Sequence, residues 1–177
     1  MTCIVAVEHE GKVYMGGDSA AVSGLDIQAV VSPKVFLLGD ILIGYTSSFR
    51  MGQLLQYNLE VPENKHGDDD LRYLVTDLVP AVRECLKAGA FTKIENGVED
   101  GGSFLIGYKG KVYLVCSDFQ VTRMRDGFSA VGCGMYYALG ALGAIEILDA
   151  EKAIMLALEV SARFSAGVCG PFYVLSK

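Results

Sequence analysis

Three times along this chain a short run of β-branched and aromatic residues reaches a turn dipeptide and is answered at once by a second such run. Residues 3–8 and 12–16 flank Glu10-Gly11, residues 34–38 and 41–45 flank Gly39-Asp40, and residues 103–108 and 111–116 flank Lys109-Gly110. Spacing this tight predicts hairpins, and hairpins make antiparallel sheets. Between them the period of the apolar residues changes. Ser48 is placed to cap a helix carrying Met51, Leu54, Leu55 and Leu59 on one face. A second helix follows Asp68-Asp69-Asp70, with Leu71, Leu74, Val75, Leu78, Val79, Val82 and Leu86 at helical spacing and a bend expected at Pro80. Two further helices are expected over 134–147 and 150–164, then a closing strand over 171–176. Hairpins alternating with paired helices predict an α+β fold: a four-layer αββα sandwich of two antiparallel sheets flanked by helices. At 177 residues, without a linker or low-complexity tract, residues 1–177 read as one domain.

The composition excludes several classes of function. A formal net charge of −6 with no Lys/Arg stripe argues against nucleic acid as a partner. No apolar run approaches the roughly 20 residues that cross a bilayer, so no membrane span is expected. Cys3, Cys85, Cys116, Cys133 and Cys169 are odd in number and widely spaced, which reads as reduced thiols in a cytoplasmic protein. No Cys/His/acid spacing resembles a metal ligand set, and no glycine-rich phosphate loop is present, so neither metal nor cofactor is expected.

The segments T-C-I-V-A-V, G-K-V-Y-M-G-G-D-S, P-K-V-F and I-L-I-G-Y resemble the opening of proteasome β subunits and of the bacterial peptidase HslV, which are N-terminal-nucleophile hydrolases. Asp18 lies 18 − 2 = 16 residues after Thr2, and Lys34 lies 34 − 2 = 32 after it. Those are the offsets at which the family carries its acid and its lysine. Taken singly, Lys34 reads as a solvated edge lysine and Asp18 as a turn former; their shared register with Thr2 points to a site. A-V-G-C-G-M-Y-Y-A (130–138) is similar to the family's glycine-serine-glycine turn, with Cys133 where a serine is usual. The family also carries an aspartate near its C-terminal end, and S-A-R-F-S-A-G (161–167) offers none in any register.

The resemblance implies a threonine peptidase. Thr2 would be the nucleophile once Met1 is removed, because a free terminal amine, with an ordinary pKa of about 7.7–8.0, can serve as the base that a hydroxyl needs. Lys34 would favour the alkoxide electrostatically, Asp18 would aim Lys34, the Gly44 N–H would face the oxyanion, and Cys133 would help hold the amine. Ala21, Leu42 and Thr46 would line the specificity pocket. Cys133 taken alone reads as a small buried residue, and Cys3, pointing away from Thr2 along its strand, as core. Peptide or unfolded protein is the implied substrate, and the implied assembly is a homo-oligomeric ring with an ATPase or cap partner. A catalytically inactive structural subunit and a small-amide amidohydrolase are the alternatives.

Overall fold

The computed structural model describes all residues, Met1–Lys177. Strands β1 (Cys3–His9) and β2 (Lys12–Gly17) form the first hairpin, turning through Glu10 and Gly11 at φ 48° and 74°, the left-handed pair that matches strand twist. β3 (Ala20–Ser23) and β4 (Asp26–Ala29) make a separate two-stranded ribbon. β5 (Val35–Leu38) and β6 (Ile41–Tyr45) follow, then α1 (Phe49–Tyr57), whose N-cap Ser48 accepts from Arg50 N. A long helical passage runs through α2 (Asp70–Tyr73), a π-helical stretch (Leu74–Leu78) and α3 (Val79–Ala88). After a small exposed ribbon, β7 (Lys93–Glu95) and β8 (Val98–Asp100), come β9 (Phe104–Tyr108), β10 (Lys111–Val115), β11 (Val121–Arg123) and β12 (Phe128–Gly132). The chain ends with α4 (Met135–Gly143), α5 (Ala150–Phe164) and β13 (Tyr173–Ser176).

The strands assemble into a four-stranded sheet, β12-β1-β2-β13, and a five-stranded sheet, β11-β10-β9-β6-β5, antiparallel throughout. Period-two alternation sends each strand's side chains to two different cores. From β1, Cys3, Val5 and Val7 pack with Ala153, Ile154, Ala157 and Leu158 of α5. Ile4 and Ala6, from the same strand, face Leu42, Leu105 and Val112 of the other sheet. The outer face of the five-stranded sheet, including Ile43, Phe104 and Ile106, meets Leu54, Leu55, Leu74, Leu78 and Leu86 of the first helices. Helices, sheet, sheet, helices: the expected αββα sandwich is the observed fold.

The helix around Pro80 departs from the simple periodicity. Proline has no N–H to give the carbonyl four residues back, and the helix widens just before it. The Val79 N–H accordingly reaches back five residues to Leu74 O. That extra residue rotates the apolar stripe, so Leu74, Leu78, Val79, Val82 and Leu86 are buried while Leu71 and Val75 are about half exposed.

Candidate active site

The site lies along one edge of the sandwich, where the two sheets bring the ends of five strands together. Thr2 precedes β1, Asp18 follows β2, Lys34 precedes β5, Thr46 follows β6, and Gly132 ends β12. The hairpin tips at Gly11, Asp40 and Gly110 are at the opposite ends of the same strands. A concavity of about 300 Å³ between those tips is lined by no serine, threonine or cysteine.

Lys34 is the centre of the arrangement. Only 2% exposed, its Nζ donates to Thr2 Oγ1 at 3.1 Å, to Asp18 Oδ1 at 2.9 Å and to the Ala20 carbonyl at 2.7 Å. An ammonium has three protons, and here each has an acceptor. Asp18 is equally enclosed: Oδ1 also accepts from Cys3 N at 2.9 Å and Oδ2 from Ala20 N at 2.8 Å. The pair is therefore a buried, fully hydrogen-bonded ion pair fixed to both sheets, not an edge lysine and a turn former. The Phe49 ring covers it, with the Lys34 ammonium 5.6 Å from the ring centroid.

Thr2 is held from the other side. Its carbonyl accepts from Gly134 N at 3.4 Å and Cys133 Sγ at 3.5 Å. At φ 97°, Gly132 lets the β12 backbone pass against that carbonyl, which a Cβ would strike. Thr2 Oγ1 also donates to the Met1 carbonyl, and Met1 lines the same cleft. In this chain the Thr2 nitrogen is the amide of the Met1–Thr2 bond.

Four expected placements differ. Gly44 is inside the sheet, in register with Val35 on one side and Leu105 on the other. Tyr45 N donates to Lys34 O and Thr46 N to Ser103 O, so strand alternation turns the Gly44 N–H toward β9, away from Lys34. Gly44 does not border the cleft. Leu42 is wholly buried between the sheets with Ile4 and Met15 and cannot line a pocket. Thr46 does border the cleft, but of the β3 residues it is Val22, not Ala21, that does so. Cys133 is exposed, not buried, and its sulfur receives the Ser165 hydroxyl at 3.4 Å. Cys3, by contrast, is buried as expected, and burial pushes its thiol up to about 12.

Ser47 was not singled out in the sequence. It borders the cleft beside Thr46 and Phe49, and its backbone is left-handed at φ 68°. Its neighbours use their N–H groups, Thr46 toward Ser103 O and Ser48 toward Thr46 O, while the Ser47 N–H has no acceptor within the chain. A free N–H beside a hydroxyl and an ammonium is what a developing oxyanion requires. No signal at position 47 distinguishes it from other turn serines, because the conformation, not the residue type, presents the donor.

No protein-family model matches the chain. Over 172 residues it is 27% identical to the ATP-dependent protease subunit HslV of Brevibacillus brevis, covering 95% of this chain and 89% of that one. Its backbone superposes on Thiobacillus denitrificans BPH with a TM-score of 0.83, at 22% identity, covering 99% of this chain and 97% of the other. HslV from Trypanosoma brucei follows at a TM-score of 0.70 and 18% identity, covering 99% and 98%. The chain is thus similar to an HslV protease subunit over nearly its whole length and shares the HslV fold.

The groups beside Thr2 determine what a terminal amine there would meet. Cys133 and Ser165 form a thiol–hydroxyl pair there, and no carboxylate comes from 161–167. Asp18 is the one carboxylate joined to Lys34, and it also binds Cys3 N, one residue along from Thr2.

Proposed function

We propose that this chain is a threonine-type peptidase, active once Met1 has been removed. The observation that carries the reading is the 3.1 Å contact between Lys34 Nζ and Thr2 Oγ1, with Asp18 at 2.9 Å behind the ammonium. A hydroxyl so placed is weakly nucleophilic until a base takes its proton. Freed from Met1, the Thr2 amine is that base, and Lys34 stabilises the oxygen it deprotonates. Thr2 Oγ1 attacks the peptide carbonyl and forms a C–O bond, and the carbonyl oxygen takes up negative charge facing the Ser47 N–H. The C–N bond breaks as the terminal ammonium returns its proton to the departing amine. Water, activated by the same amine, then hydrolyses the ester and restores Thr2.

The cleft, about 110 Å³ and bordered by Val22, Tyr45 and Phe49, suits a small or apolar side chain beside the cut. The Brevibacillus relative is named as an ATP-dependent protease subunit, and for this chain the reading includes an ATPase partner, unfolded protein as substrate, a homo-oligomeric ring and a cytoplasmic location. No helix is long and apolar enough to cross a membrane.

A second reading, a structural subunit without activity, is favoured by the thiol–hydroxyl pair at Cys133 and Ser165 where no carboxylate stands to orient the amine. One experiment separates the two. Native protein is weighed intact before and after exposure to epoxomicin, with which Thiobacillus denitrificans BPH has also been solved in complex. A mass lacking one methionine, with one epoxomicin adduct lost in Thr2→Ala, is expected. A protein without Met1 that forms no adduct and cleaves no peptide would establish the structural subunit.

A further inference from the structure

We propose that the side chain of Ser47 is a positioning device: its hydroxyl, tethered to the Ser103 N–H, holds residue 47 in the left-handed conformation that aims its backbone N–H into the cleft. This rests on the peptidase reading above and concerns how the oxyanion donor is organised. Three observations meet at this residue. At φ 68°, Ser47 has a backbone shape that side-chain-bearing residues rarely adopt. Its Oγ accepts a hydrogen bond from Ser103 N at 3.2 Å, at the entry to β9. Its own N–H, alone among those of residues 46–48, has no acceptor in the chain.

The surroundings explain why the tether matters. Residue 47 sits between the end of β6, which is locked by Tyr45 N to Lys34 O and Thr46 N to Ser103 O, and the start of α1, which is locked by Ser48. Ser103 thus grips the turn twice, its carbonyl holding the backbone of residue 46 and its N–H holding the side chain of residue 47. Gly102 keeps room for this grip, since a Cβ there would come within 3.0 Å of both Ser47 Cβ and Oγ. Without the second bond nothing but the backbone opposes relaxation of residue 47 to negative φ. That relaxation rotates the peptide plane carrying its N–H and withdraws the donor from the carbonyl under attack.

A hydroxyl tether and an intrinsic tolerance of positive φ are two ways to the same geometry, so substitutions separate them. Ser47→Ala removes the tether and keeps the cost of a Cβ. Ser47→Gly removes both, and Ser47→Asn brings a residue enriched in the left-handed region. In Met1-free protein cleaving a fluorogenic peptide, Ser47→Ala is expected to lower kcat by roughly 10–100-fold with KM changed less than about threefold, short of the 10²–10³ that loss of a whole oxyanion donor gives. Ser47→Gly and Ser47→Asn are expected within about fivefold of the parent kcat, the rescue that positive φ provides. The melting temperature of each variant is read alongside. Ser47→Ala at parental kcat would overturn the proposal, as would Ser47→Gly and Ser47→Asn no better than Ser47→Ala in protein that still melts cooperatively. A parent protein that neither cleaves peptide nor takes up epoxomicin would instead refute the peptidase reading; the tether is then decided by the crystal structure of Ser47→Ala. Retention of φ near 68° in that structure would overturn the tether too.

Discussion

Lys34→Met is the substitution whose consequences the structure states most fully. Methionine keeps the length and apolar stem of lysine and removes the ammonium, so the β5 end stays filled while three hydrogen bonds disappear. Asp18 is left with two backbone donors, Cys3 N and Ala20 N, in a site where its side chain has no measurable exposure. Breaking a buried pair by removing one partner costs about 3–5 kcal/mol, because the remaining charge is neither solvated nor paired. For a chain of this size that corresponds to a melting temperature lower by roughly 6–20 °C. Asp18→Asn added to Lys34→Met removes the orphaned charge, retains an acceptor for Cys3 N and is expected to recover most of the loss. Neither variant recovers hydrolysis, since Thr2 Oγ1 faces no cation in either.

The assay is urea unfolding of parent, both single variants and the double variant, at one protein concentration, with peptide cleavage measured on the same samples. The double-variant cycle yields the coupling between the two side chains directly, and recovery of most of the loss in the double variant requires a coupling of at least about 2 kcal/mol. A Lys34→Met protein within about 1 kcal/mol of the parent would mean that Asp18 reaches water or changes its protonation at little expense. The enclosed ion pair would then be an incorrect description of the site.

Two other expectations test the surroundings of the site. Gly44→Ala places a Cβ about 2.5 Å from Ile4 Cγ2 and 2.6 Å from Met15 Sδ; it is expected to destabilise by about 1–3 kcal/mol through overpacking, and a large loss of kcat in fully folded protein would restore Gly44 as a donor. Glu8 joins the sheets, accepting from Val112 N at 2.8 Å and from Arg123 at 2.7 and 3.1 Å. Burial opposes its charge, yet the Arg123 and Val112 hydrogen bonds outweigh it and hold the carboxyl below its ordinary value. A depressed folded value stabilises above the unfolded pKa of about 4.3 and loses that contribution as pH falls further. Glu8→Gln should therefore be less stable than the parent at pH 7, with the gap closing below about pH 4; a gap constant down to pH 2 would refute the assignment.

The parts of this molecule that could be read from its residues are those in which backbone geometry leaves few choices. Glu10-Gly11 and Lys109-Gly110 take left-handed turns that specify hairpins, and the alternation of Cys3, Ile4, Val5 and Ala6 assigns each side chain to a core before any partner is known. Thr2, Asp18 and Lys34 were legible because their offsets match those of the family the chain resembles, and the fold places each where a strand starts or ends. Gly44 failed by the same logic: it lies within a strand, where both sheet neighbours claim the backbone. The β3–β4 and β7–β8 ribbons escaped notice because both stand outside the two main sheets, leaving no sustained apolar alternation to read. Leu25 at the β3–β4 turn is fully exposed, and Ile94 on β7 nearly so. Ser47 escaped for a different reason. Its use depends on a φ value that Ser103, fifty-six positions away, helps to hold. A nucleophile and its counter-ions can be recognised by residue type, but a backbone donor has no residue type, and only the fold decides which N–H remains free.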